Sequence, residues 1–412
     1  MFNTIFIILI AILILGYIFE QILNWLNLKH ILPSLPDELK DIFDKEEYRK
    51  SQFYKKDNIR FSFLTSTVST IVVLVVFFLG GFGWLSNQLS GLTSHYVLFV
   101  LLFFGTIAFV ADLLSTPFSA YDTFVIEERY GFNRTSIKTF VLDKLKGWLL
   151  GLLIGGGLLS LITWIFQLTG QWFWLLAWGA VTIFSLFMTM FYSNLIVPLF
   201  NKQTPLEDGE LRQTIESFAA RVGFKLDNIF LMDGSKRSSK ANAYFTGLGP
   251  KKRIVLYDTL INDLTADEIV SVLAHEIGHY KKRHTTKGLI LSTIQTGITL
   301  YLFSLFVGND AFSRALGGEQ ASFHLGLIAF GILYSPISTS LGIGFNAISR
   351  RNEYQADHYA GVHHNPEVLI SALKKLSKNN LINLTPHPAY VFIHYSHPPL
   401  LQRIIALRNR SK

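Results

Sequence analysis

Seven stretches of this chain stay apolar for about 20 residues, the length that crosses a bilayer, where a soluble core helix needs only roughly 10 to 14. They run near Phe2 to Leu26, Phe61 to Leu85, Tyr96 to Tyr121, Trp148 to Leu168, Trp172 to Phe200, Gly288 to Gly308 and Phe323 to Arg350. The pattern predicts a mainly α, polytopic membrane protein with about seven transmembrane helices. Between the fifth and sixth spans the rhythm changes. Leu206 to Val222 repeats at helical spacing, Asn228 to Met232 and Arg253 to Tyr257 read as short strands, and another helical segment follows. The chain therefore divides into 1–200, with polar loops at 29–60 and 122–147, a small α+β unit at 201–287, two further spans in 288–350, and a polar tail at 351–412. The alternate connections, 86–95, 169–171 and 309–322, are too short to form a domain. Gly155, Gly156 and Gly157 permit a bend or close helix packing in the fourth span.

Charge sets the orientation. Of 37 Lys and Arg, 8 lie in 29–60, 5 in 122–147, 14 in 201–287 and 9 from 350 onward, leaving Arg314 alone on the opposite side. This positive-inside pattern predicts a cytoplasmic location for the α+β unit and the tail. The net charge of +8 is accounted for by a basic face on anionic lipid, so no nucleic-acid partner is called for. The first span has no basic n-region or small-residue cleavage site and is expected to be a retained helix. With no cysteine, a disulfide framework, a thiol nucleophile and Cys-ligated zinc are excluded.

The chemistry centres on His275-Glu276-Ile277-Gly278-His279. Two imidazoles four residues apart on a helix share one face and can grip one metal ion, with Glu276 placed to act on a metal-bound water. Thr265-Ala266-Asp267-Glu268 reads as a capping box, and Ile269, Val270, Val272, Leu273 and Ile277 follow at helical spacing, so the motif sits inside a helix. His279 precedes Gly288 by about 13 Å if the path is helical, which puts the site beside the bilayer.

A catalytic zinc needs a third protein ligand and an open position for water. Glu353 is the best candidate, since it follows the seventh span in Asn352-Glu353-Tyr354-Gln355-Ala356-Asp357. Asp357, four residues on and on the same helical face, can accept the free N–H of a ligating histidine. By itself this stretch is an ordinary solvated helix; beside HExxH it completes a site. Spacing leaves His284, His358, His363, His364, His387, His394 and His397 as competing third ligands. A metzincin site would need His at 285, which is Thr.

The motifs resemble the type I CAAX prenyl protease family of integral-membrane zinc metalloproteases, over nearly the whole chain. The likeness runs from Glu127-Glu128-Arg129-Tyr130-Gly131-Phe132-Asn133-Arg134 and Pro198-Leu199-Phe200-Asn201-Lys202 through Asp233 to Phe245, the HExxH helix and Glu353 to Asp357, ending at Ser396-His397-Pro398-Pro399. The resemblance implies hydrolysis of a peptide bond by a zinc-activated water, with His275, His279 and Glu353 as ligands and Glu276 as proton shuttle. It implies that Asn242 and Ala243 lie on an edge strand holding an extended peptide, that His397 stabilises the oxyanion, and that Arg403 orients His397 or a nearby carboxylate on the substrate-binding side. It also implies that the helices enclose a water-filled chamber, and that the substrates are C-terminal peptides bearing a prenylated cysteine at the membrane.

Two other readings compete: a quality-control protease of the HtpX type, and a seven-helix transporter or receptor with structural zinc, which would have a closed coordination sphere and no use for Glu276. The expected membrane is the bacterial inner membrane first and the endoplasmic reticulum second. Asp112, inside the third span, is expected to line the chamber or pair helices. Pro336 and the Glu20-Gln21 pair are expected to mark a kink and a helix interface.

Overall fold

The computed structural model describes residues 3–31, 35, 37–226, 229–246 and 253–410. Phe2 and Asn228, at the edges of an expected span and strand, lie outside the described residues. Six continuous helical segments are long and apolar enough to cross a membrane: Thr4–Lys29, Lys45–Phe78, Tyr96–Tyr130, Ile137–Phe200, His284–Phe306 and Phe323–His363. The fourth of these, 64 residues long, breaks at Gly170, whose φ is 54°. Its two arms pack on each other, so the crossings number seven.

The helices outrun the hydropathy pattern. The second begins at Lys45, capped by Asp44 in a capping box with Glu47, and carries polar turns into its apolar part. It stops at Phe78, before Gly80 at φ 65°, and a separate helix covers Gly81–Ser90. The glycine-rich part of the fourth span is a π-turn over Gly151–Gly156, just ahead of the expected bend. The seventh helix runs 41 residues without interruption, through Pro336 and on to His363.

Burial is concentrated at the two ends. At one end Phe6, Leu9, Phe77, Phe99, Phe103, Phe173, Phe303 and Phe323 from six spans form one core. The short connections lock over it: Gly83 N–H donates to Leu316 O at 2.8 Å, and a Cβ on Gly83 would collide with the Gly317 carbonyl. Between the ends, residues 60–76, 104–125, 133–162 and 331–352 contain no buried residue. A helix in a packed bundle buries a stripe every three or four residues. These stretches bury no such stripe, so the packing that holds the spans together lies at their ends. Asp112 in the third span is held by Lys144 (2.7 Å) and Trp148 Nε1 (2.9 Å) of the fourth, a helix-pairing role. Gln21 donates to Ser66 at 2.7 Å and Glu20 meets His394 at 3.2 Å, both at helix interfaces.

The opposite end carries a four-stranded sheet, β1 (Gln203–Pro205), β2 (Ile229–Met232), β3 (Ala243–Thr246) and β4 (Arg253–Tyr257), in the order β1-β2-β4-β3. Only the β2–β4 pairing is parallel. Its core joins Leu39, Ile42 and Phe43 of the first loop to Ile215, Phe218, Leu256, Leu273 and Ile277, and to Leu369, Ile404 and Leu407 of the tail. Three motifs distant in sequence meet where this unit joins the spans. Arg134 N–H donates to Arg237 O at 3.0 Å, Arg237 makes a bidentate pair with Asp143, and Asn201 Nδ2 donates to Asp233 O at 2.9 Å. Lys240 sits 2.7 Å from Glu127 and 2.8 Å from the Tyr54 hydroxyl, which itself bonds Glu127. This fixes the start of β3 to the loop between spans three and four.

Candidate metal centre

The motif helix, Ala266–Lys281, starts with the expected capping box: Thr265 Oγ1 accepts from Glu268 N–H, and Glu268 Oε2 accepts from Thr265 N–H at 2.9 Å. Glu268 is buried and also takes Lys375 (2.8 Å) and the Ser371 hydroxyl (2.7 Å), which ties the helix start to the tail. Burial pushes the Glu268 carboxyl up, but Lys375, the Thr265 N–H and Ser371 outweigh it and hold it below its ordinary range.

Against this helix lies the C-terminal end of the seventh, and the crossing is close at Gly278. A Cβ there would stand 3.1 Å from Ala356 Cα and from Tyr359 Cβ. The close approach puts three donors together: His275 Nε2 and His279 Nε2 are 3.1 Å apart, and Glu353 lies 3.4 Å from the first and 3.2 Å from the second. Ligands at about 2.0 to 2.1 Å in a tetrahedron are about 3.3 Å from one another. These spacings are those of one face of a tetrahedron, with Glu353 offering Oε2 toward His275 and Oε1 toward His279, a fit to a metal with its fourth corner left for a non-protein ligand. They form the one group of three or more such ligands brought together among the described residues.

The other histidines are engaged elsewhere. His364 pairs with Asp267 at 2.9 Å, His363 stacks on Tyr359, His387 caps its own helix, His394 meets Glu20, and His358 is exposed. His284 touches the back of His279, Nδ1 to Nδ1 at 3.1 Å. His397 Nδ1 reaches Glu353 Oε2 at 2.9 Å and stays largely exposed.

Asp357 Oδ1 sits 2.9 Å from His275 Nδ1, and the carboxylate accepts from Arg403 on both oxygens, Nε to Oδ2 at 2.8 Å and Nη2 to Oδ1 at 2.6 Å. Arg403 is therefore behind the ligand, aligning a carboxylate as expected through a bidentate grip, and it also lines the cleft that holds Asn242 and Ala243. Burial alone would lower the His275 pKa; the bonds to Asp357 and Glu353 overcome it and raise it to about 9.

A cleft of about 380 Å³ opens in front of the cluster, lined by Asn242, Ala243, Glu276, Glu353 and His397, with Leu260, Val272, Leu369, Leu373 and Leu376 forming an apolar floor. Asn242 immediately precedes β3, whose single pairing among the described strands is to β4. Sequence reasoning missed Gln355, Lys240 and Asn380, the last bonding both Ala241 N–H and Ala241 O at 3.2 Å. No spacing rule points to them, because each acts across elements.

Comparison with known proteins agrees with this geometry. Residues 24–202 match the family described as CAAX prenyl protease N-terminal, five membrane helices, and residues 205–411 match peptidase family M48. The class is thus a zinc metalloendopeptidase carried on a membrane domain. CAAX prenyl protease 1 homolog of Arabidopsis thaliana is 36% identical over 412 residues, 98% of this chain and 97% of that one. CAAX prenyl protease 1 of Saccharomyces cerevisiae is 37% identical over 400 residues, 90% and 88% of the two chains. The crystal structure of S. mikatae Ste24p superposes with a TM-score of 0.93 at 35% identity, covering 98% of this chain and 99% of that one. The chain belongs to the CAAX prenyl protease 1 family, M48 peptidases with an N-terminal membrane domain.

Proposed function

We propose that this protein cleaves peptide bonds near the C-terminus of prenylated, membrane-associated proteins, with one zinc ion held by His275, His279 and Glu353. The observation that carries the reading is the tetrahedral face of three donors opening onto a cleft that holds both Glu276 and the edge of β3. A zinc ion there supplies an acidified water and a Lewis-acid contact to the scissile carbonyl. Glu276 takes the proton of the attacking water and returns it to the leaving amine. Asn242 and Ala243 receive the substrate as an added strand beside β3, and the leucine-rich floor takes an apolar side chain. His397, with Nδ1 2.9 Å from Glu353, serves the oxyanion as an imidazolium, which carries a proton on Nε2 as well as on Nδ1. Asp357 and Arg403 hold His275 in the tautomer that leaves Nε2 free for metal.

The histidine helix ends three residues before span six begins at His284, and Glu353 sits on the same continuous helix as span seven, so a substrate anchored by an isoprenoid reaches the donors without leaving the membrane. The basic loops put this end in the cytoplasm. The relatives named above are eukaryotic, which weighs for the endoplasmic reticulum over the bacterial inner membrane. A structural-zinc transporter would have no use for Glu276 at the open corner. The test is mass spectrometry of products from a prenylated peptide and its unmodified twin incubated with purified protein. Cleavage of the prenylated peptide at least tenfold faster is expected; equal rates would remove prenylation from the substrate class, and no cleavage of either would remove the reading.

A further inference from the structure

The two histidines of the motif are backed in different ways. His275 has the Asp357 carboxylate on its Nδ1, whereas His279 has a second imidazole. His279 Nδ1 is 3.1 Å from His284 Nδ1, and His284 Nε2 is 3.0 Å from Gln355 Oε1. His284 is buried, and Gln355 lies on the seventh helix two residues beyond Glu353.

The backbone makes this contact possible. In a continuous helix the fifth residue after His279 would point roughly 140° away from it. Here the helix is broken at Arg283, held in the left-handed region at φ 58°, ψ 34°, and a new helix starts at His284. Arg283 and Leu381 are the two non-glycine residues at positive φ among those described. Such a conformation is strained for an L-residue, and strain of this kind collects where function needs it.

Proton counting fixes the tautomers. His279 Nε2 faces His275 and Glu353 and must keep its lone pair for a metal, so its proton is on Nδ1. Two Nδ1 atoms in contact share one proton, so His284 Nδ1 accepts. The proton of His284 is then on Nε2, which donates to the Gln355 oxygen. We propose that His284 is a positioning residue for the metal centre: a neutral imidazole, set by the left-handed Arg283 and by Gln355, that fixes the ring and tautomer of His279. The inference rests on the metal reading of the site.

The test measures zinc dissociation constants of full-length protein in detergent by chelator competition, together with the visible spectrum of the cobalt-substituted form. His284→Leu removes the acceptor and should weaken zinc about 10- to 100-fold and shift the cobalt bands. His284→Asn, whose Oδ1 takes the place of Nδ1, should stay within about threefold of wild type. Gln355→Met frees His284 without touching the break at Arg283 and should cost about three- to tenfold, which keeps the test decisive if the leucine variant does not fold. Wild-type affinity in both His284→Leu and Gln355→Met, or failure of His284→Asn to recover it, would overturn the role of His284. Absence of zinc binding by the wild type would overturn the metal reading beneath it.

Discussion

Replacing Gly278 by alanine probes the contact on which the metal centre depends. The added Cβ would meet Ala356 Cα and Tyr359 Cβ at 3.1 Å and Ala356 O at 3.2 Å. Carbon atoms rest at about 3.5 to 4.0 Å, so the two helices must part by roughly 0.4 to 0.9 Å. Both flanking histidines ride on one helix and Glu353 on the other. Their separations of 3.2 and 3.4 Å would stretch beyond what a tetrahedral ion tolerates, which is about 0.2 Å per ligand. Overpacking of this size costs about 1 to 3 kcal/mol, against which alanine gains about 1 kcal/mol in helix propensity. The propensity gain is the same with and without metal, so at 1.4 kcal/mol to each tenfold zinc affinity should fall by about 5- to 150-fold if most of the strain is relieved by losing the metal. Gly288→Ala, with nothing within 4 Å of the new Cβ, is the matched control and should leave affinity unchanged. Chelator competition on both variants decides the matter. Zinc binding in Gly278→Ala within threefold of wild type would refute the claim that this crossing sets the donor geometry.

Glu276→Gln should retain zinc while turnover falls by about 10²- to 10⁴-fold; turnover within tenfold of wild type contradicts its proton-shuttle role. Glu353→Ala should lose metal and activity together, and Asp357→Ala should weaken zinc by about 10- to 100-fold, as read by metal analysis after dialysis against chelator. Glu268 is held below its ordinary pKa in the folded protein, so the unfolded chain binds its proton first. Its contribution is complete above about pH 4.5 and drains as the pH falls further. Glu268→Gln should therefore flatten the acid side of the melting-temperature curve, and an unchanged slope would argue against the linkage. Single cysteines placed in this cysteine-free chain should react with an impermeant thiol reagent in sealed cells or microsomes from opposite sides at 86–95 and at 201–287; labelling from the same side would overturn the orientation.

The spans, the motif helix with its capping box, and Glu353 were all legible because each depends on local periodicity. Glu353 and Asp357 could be placed on one face because the seventh helix continues past the membrane without a break. Hydropathy could not see that the second helix starts at Lys45, since its first turns are polar. Nor could it see the three-residue β1, which holds a proline. His284 looked like a rival ligand by spacing, and only the left-handed Arg283 turns it onto the back of His279. The 29–60 segment reads as a polar loop, yet Leu39, Ile42 and Phe43 within it complete the core shared with the motif helix. Such pairings between distant segments leave no period to read.

The donors are split between a helix before the sixth span and one after the seventh, with Arg403 later still. A ribosome adding about 5 to 20 residues per second needs on the order of ten seconds to travel from Glu276 to Arg403, and the insertion of two spans, His284–Phe306 and Phe323–His363, intervenes. Even the first helix waits, because Asn27 accepts from the His387 N–H at 3.1 Å. A nascent chain therefore passes through synthesis without a closed coordination shell. Latency during synthesis is built into the order of assembly, because the three donors meet only after the seventh helix is made and are braced only once the tail follows.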